Sequence, residues 1–182
     1  MANIQLAIFS IILTLLISPV QLLAVEPDHE HHGAHVHGEA QLLIAVEGNT
    51  LEIEFISPAM NIVGFEYLPR NNTQLEAVKS AIEILNQPGQ LFSLPSGAEC
   101  HTSTFSVESP FSGHEKHAHG EADHRDFAAH YHFLCTDMSR LKRVEVGIFK
   151  QFPATDVIEV QSISQRGQRM TELTPEHNSV EL

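Results

Sequence analysis

The order of hydrophobic and polar positions changes period several times along the chain. Ile4 to Ile17 is mostly apolar and uncharged, Pro19 follows, and Leu22, Leu23 and Ala24 precede the polar Glu26-Pro27-Asp28. That order predicts a secretory signal peptide over 1–24, although its start has no Lys or Arg and Leu22 is larger than the residue usual at that distance from a cut. An uncleaved anchor is the competing reading, since about 20 apolar residues can span a bilayer. Ser18, Pro19 and Gln21 argue for cleavage, and the absence of a Cys after the apolar run argues against a lipoprotein. On either reading the bulk of the chain is exported.

Beyond residue 40 the period is that of strands. Gln41 to Val46 is an apolar run of strand length, Glu47-Gly48-Asn49 is turn chemistry, and Leu51 to Phe55 alternates with Leu51, Ile53 and Phe55 inward. From Thr73 the period turns helical: Thr73-Gln-Leu-Glu76 has capping-box form, Leu75, Val78, Ile82 and Leu85 share a face, and Pro88-Gly89 stops the run. Ala98 to Val107, Ala128 to Cys135, and Arg143 to Phe149 read as strands, and Val157–Ser164 with Gly167–Leu173 as a closing hairpin. The sum is a mostly β (α+β) fold: two packed antiparallel sheets with one helix and a histidine-rich loop. The expected organisation is a signal peptide over 1–24, a histidine-rich segment over 25–38, and one β-rich metal-binding domain over 39–182 with its loop at 108–127.

Charge narrows the partners. Asp and Glu number 23 against 10 Lys and Arg, and none of them lies in 1–24, so the mature chain keeps the whole excess. Nucleic acid and anionic lipid reward basic patches, whereas this surface attracts cations. No nucleic-acid or, after signal cleavage, membrane partner is expected, and a monomer is.

The cation chemistry is written twice. His32 to Ala40 and His114 to Ala122 both fit H-x-x-H-x-H-G-E-A, six fixed positions in nine. Twelve of the 13 histidines fall in or beside these two clusters when His101 is counted with the second. Imidazole suits zinc, nickel and copper, and glycines within the tracts leave the backbone free to turn several rings to one ion. In Ala129-His-Tyr-His-Phe-Leu-Cys135, alternation puts His130 and His132 on one strand face, where they either chelate an ion or decorate a polar surface. The candidate ligands are therefore His32, His35, His37, His114, His117, His119, His124, His130 and His132. His35, His37, His130 and His132 are expected to form an ordered site, with His114, His117, His119 and His124 as a looser capture segment. Protons compete for imidazoles below about pH 6, so affinity should fall there. His101 and His177 read as ordinary surface or structural residues.

Cys100 and Cys135 are the only cysteines. In an oxidising compartment an isolated pair is expected as a disulfide, stapling the stem of the histidine loop; a soft metal site using both thiolates is the competing idea. Catalysis finds little support. His114-Glu-Lys-His117 is one residue short of the His-Glu-x-x-His spacing of metalloproteases, and neither a Gly-x-Ser-x-Gly elbow nor a phosphate loop is present.

His35-x-His37-Gly38, Ala40-Gln41-Leu42, Ser57-Pro58-Ala59-x-Asn61-x-x-Gly64-Phe65-Glu66, Cys100 and Tyr131-x-Phe133-x-Cys135 together carry a resemblance. The chain resembles the exported, histidine-rich, zinc-binding family typified by the zinc-regulated periplasmic protein ZrgA. The resemblance implies a periplasmic protein of Gram-negative bacteria that captures Zn2+ and assists its uptake, as a chaperone or buffer beside a zinc ABC importer. It also implies that the histidine loop and histidine start bind metal. A sensor or storage module for zinc, nickel or copper is the alternative. Zinc is chosen on the resemblance, not on spacing, and Glu66 stays outside the expected ligand set because a Gly-Phe-Glu turn serves structure equally well.

Overall fold

Alternation along the first two strands sets the frame of this computed structural model, which describes residues 36–112 and 125–182. Strands β1 (Glu39–Glu47) and β2 (Thr50–Pro58) form an antiparallel hairpin turning at Gly48-Asn49. Leu42, Ile44, Leu51, Ile53 and Phe55 are buried, while Leu43, Glu52 and Glu54 occupy the other face. β5 (Asp126–Cys135) pairs antiparallel with β2 and with β4 (Cys100–Glu108). On the opposite side β1 pairs parallel with β7 (Val157–Ser164), which turns back into β8 (Gly167–Leu173). The sheet order is β4-β5-β2-β1-β7-β8. A parallel pair needs a long crossover, and the chain between β1 and β7 supplies it.

That crossover covers the inner face of the sheet. Helix α2 (Asn72–Leu85) buries Val78, Ala81 and Leu85, and the Tyr131 hydroxyl donates to the Leu85 carbonyl at 2.8 Å. Beside it lies a second sheet of β3 (Phe92–Ser93), β6 (Arg143–Val146) and β9 (Ser179–Glu181), in the order β3-β6-β9. Phe92 meets Tyr131 and Phe133 edge-on, with centroids 5.3 and 6.5 Å apart. The expected mostly β architecture of two sheets and one substantial helix is what the chain forms. Three short helices, α1 (Ala59–Val63), α3 (Pro88–Leu91) and α4 (Ile148–Gln151), complete it.

Local details depart from the expectation. The cap of α2 is Asn71, whose side chain accepts from Gln74 N, and the Gln74 side chain in turn accepts from Arg70 N; Thr73 lies inside the helix. Leu75 is 47 % exposed, off the buried stripe. The strand expected over Arg143 to Phe149 ends at Val146, because Gly147 donates to the Leu91 carbonyl and the chain coils into α4. After Pro175 the polar stretch becomes β9, with Val180 and Leu182 buried. Cys100 and Cys135, directly opposed across β4 and β5, form the expected disulfide. It clasps the end of this hairpin remote from the segment between Glu108 and Asp126.

Candidate metal centre

The first station is built around His37. Val36 to Glu39 makes a tight turn closed by Glu39 N to Val36 O at 3.0 Å. Gly38 is fixed on both sides: its N–H donates to Asn61 Oδ1 at 2.8 Å, and its carbonyl accepts from Asp156 N and Val157 N at 2.7 and 3.0 Å. Buried Asn61 also donates to the Glu39 carbonyl at 2.8 Å and to Ser57 Oγ at 3.3 Å. Asn61 stands on α1, which Gly64 ends in the left-handed region at φ 82°, so that Phe65 enters the core and Glu66 emerges beside His37. The separation between His37 Nε2 and Glu66 Oε1 is 3.3 Å. The fixed positions of Pro58-Ala59-x-Asn61-x-x-Gly64-Phe65-Glu66 thus converge on the turn that carries His37.

The second histidine tract joins the fold at the same helix. Ala59 N donates to the Arg125 carbonyl at 2.7 Å, and Phe111 packs on Phe65 and Phe127 with centroids 5.5 and 5.9 Å away. The Arg125 guanidinium lies over Phe111 and donates to the Pro110 carbonyl at 3.2 Å. The described residues that flank both tracts therefore surround α1, and Glu66 and Arg125 line one open depression with Tyr67 to Arg70.

The second station is the outer face of the larger sheet. Register sets His130 opposite Glu54 and His132 opposite Glu52. The nearest nitrogen–oxygen separations are 3.7 Å for His130 Nε2 to Glu54 Oε1 and 3.4 Å for His132 Nδ1 to Glu52 Oε1. Both imidazoles are half-exposed. Beside them Leu43, Ala45, Gln161 and Ile163 border a shallow depression of about 320 Å³.

His37 is thus set apart from His130 and His132. Leu43 lies in the cross-strand row of Glu54 and His130, six residues from His37, which is up to about 20 Å along a strand. His32, His35, His114, His117, His119 and His124 lie outside the described residues, as does the signal segment expected over 1–24. Among the described residues no three His, Cys, Asp or Glu side chains converge as a preformed metal cage. His101 lies exposed on β4, and His177 closes a small turn with Thr174. Sequence reasoning passed over Glu52 and Glu54 as the polar half of an alternation, and left out Glu66. The signal for the pair was Glu-x-Glu on one strand and His-x-His on another, which becomes informative only once their pairing is known.

What the fold and these stations define is a two-sheet domain that displays histidine–carboxylate pairs on its surface and gathers the described residues flanking both histidine tracts around one short helix. The model of the ZrgA family zinc uptake proteins matches residues 34–182, and the chain belongs to that family. No curated protein matches the chain. Membership brings a role in zinc uptake. No helix among the described residues is long and apolar enough to cross a membrane.

Proposed function

We propose that this chain is a periplasmic zinc-binding protein that captures Zn2+ and passes it towards a zinc ABC importer, as a chaperone or buffer. The observation that carries the reading is the His37–Glu66 pair, 3.3 Å apart beside the helix where both histidine tracts join the domain. Two ligands about 2.0–2.2 Å from one tetrahedral zinc ion are themselves about 3.3–3.5 Å apart, so the pair has the spacing of two ligands to a common ion. The imidazole donors of this reading are His32, His35 and His37 from the first tract and His114, His117, His119 and His124 from the second. His130 and His132 supply donors on the sheet face. The acidic balance of the chain raises the local concentration of cations at these ligands.

Calorimetric titration of Zn2+ into the protein and into a variant lacking His114 to His124 tests this reading. A tight site that survives the deletion, together with lost capacity, is the expected result; loss of all tight binding would make the β domain a mere scaffold. Handover is tested by mixing the zinc-loaded protein with the importer's periplasmic component and measuring metal in each after separation. Retention of all zinc by this chain would exclude delivery and leave storage or sensing.

A further inference from the structure

We infer that the outer sheet face holds a divalent metal site of its own, in which Glu52 and Glu54 join His130 and His132 as ligands. Zinc as the ion rests on the proposed function; the ligand set rests on the geometry. Three observations carry it. First, the β2–β5 register stacks two His–Glu rungs side by side, Glu54 with His130 and Glu52 with His132, and side chains two apart on a strand share one face about 6.6 Å apart. One ion above that face is within reach of both imidazoles and of a carboxylate from the neighbouring strand.

Second, the rung separations of 3.4 and 3.7 Å are close to the bite of two ligands on one tetrahedral ion. The longer one exceeds ordinary hydrogen-bond length. Third, among the described residues the depression offers these carboxylates no cationic side chain besides the histidines. No Lys or Arg lines the depression, whose remaining walls include Leu43, Ala45 and Ile163. Two glutamates on one strand face repel each other, and an apolar border weakens the screening of that repulsion by water. A divalent ion removes it.

The platform beneath is rigid. Leu51, Ile53, Tyr131 and Phe133, on the opposite face of the same strands, are buried, and both strands have hydrogen-bonded neighbours on each side. Since no three donors converge in the described conformation, the site closes by rotation of half-exposed side chains and needs no backbone movement.

The test is a Zn2+ titration by calorimetry on the full protein in which every histidine except His130 and His132 is replaced by Gln. One remaining site of one ion per chain is expected. Adding Glu52→Gln and Glu54→Gln should weaken it by at least the roughly 10- to 100-fold that loss of a ligand's supporting partner costs, and adding H130Q and H132Q should abolish it. No binding in the starting variant, while the unsubstituted protein binds zinc, overturns the sheet-face site and leaves the broader zinc reading standing. Binding unchanged by the glutamate substitutions overturns the assigned ligands. Failure of the unsubstituted protein to bind zinc overturns both readings. Long-range nitrogen–proton NMR of His130 and His132 in the unsubstituted protein provides an independent check. Shifts of their ring nitrogens on zinc addition are expected, and unmoved nitrogens at saturating zinc count against the site.

Discussion

At Gly38 the backbone sits at φ 91°, and a Cβ there would lie 2.6 Å from Asp156 Oδ2. The Asp156 carboxylate can swing aside, but the positive φ strains any side chain at the residue that aims His37. Gly38→Ala should lower stability by about 1–3 kcal/mol, measured by urea unfolding, and should weaken zinc binding at the His37–Glu66 station. Unchanged stability would show that the turn relaxes freely. Tyr131 illustrates a different dependence. Its hydroxyl satisfies the Leu85 carbonyl at the end of α2, and burial pushes its pKa well above the ordinary tyrosine range. The unfolded chain ionises this phenol from about pH 10 upward while the folded chain keeps it neutral. Its contribution is therefore complete below about pH 10 and is lost as pH rises beyond it. Tyr131→Phe should cost about 1–2 kcal/mol at pH 8 by orphaning the carbonyl, with a penalty that shrinks above pH 10. Urea midpoints of both proteins at pH 8 and in the alkaline range check it; a constant difference would disprove the linkage.

Among elements, α1 has only five residues, yet it ties the histidine start to the core. Asn61→Ala strands the buried Gly38 N–H and the partly buried Glu39 carbonyl, and about 2–4 kcal/mol of destabilisation is expected from the two groups left unpaired. A smaller loss in a urea melt would mean that water replaces the carboxamide. The start of α2 separates the sequence pattern from the fold. Thr73-x-x-Glu76 has the form of a capping box, but the helix begins earlier, with Asn71 on Gln74 N and Gln74 on Arg70 N. Asn71→Ala should therefore cost about 1 kcal/mol and Thr73→Ala much less; equal costs would restore the sequence-based cap.

The central hairpin and the face of β5 were legible because apolar residues recur there with period two. The break after Val146 was not, because Val144, Val146 and Ile148 keep that period while the Gly147–Leu91 bond, remote in sequence, ends the strand. The docking of Val180 and Leu182 was hidden for the same reason: a short polar tail gives no periodic signal, and its partner strand lies far away in the chain. At the candidate centre, the histidines announced themselves by number and repetition. Glu52, Glu54 and Glu66 acquired meaning only from register and from the turn after α1.

At the scale of the whole molecule, the bridge closes the end of the β4–β5 hairpin opposite to Glu108 and Asp126, from which the chain leads into the histidine tract, and this separates stability from metal capacity. Cys100 through Cys135 encloses 36 residues, and chain-entropy reasoning assigns such a bridge roughly 3–4 kcal/mol. Replacing both cysteines with Ser should lower the unfolding free energy by about that amount, while leaving zinc capacity per folded chain unchanged. Deleting His114 to His124 with the bridge intact shortens the enclosed loop to 25 residues, and because closure entropy grows only with the logarithm of length, stability should change by about 0.3 kcal/mol. Zinc capacity should fall in that variant. Urea unfolding of metal-free protein and zinc titration of both variants test the separation together. A deletion that costs as much stability as bridge removal would mean that the tract supports the fold, and the domain would then no longer be a scaffold from which capture is hung independently.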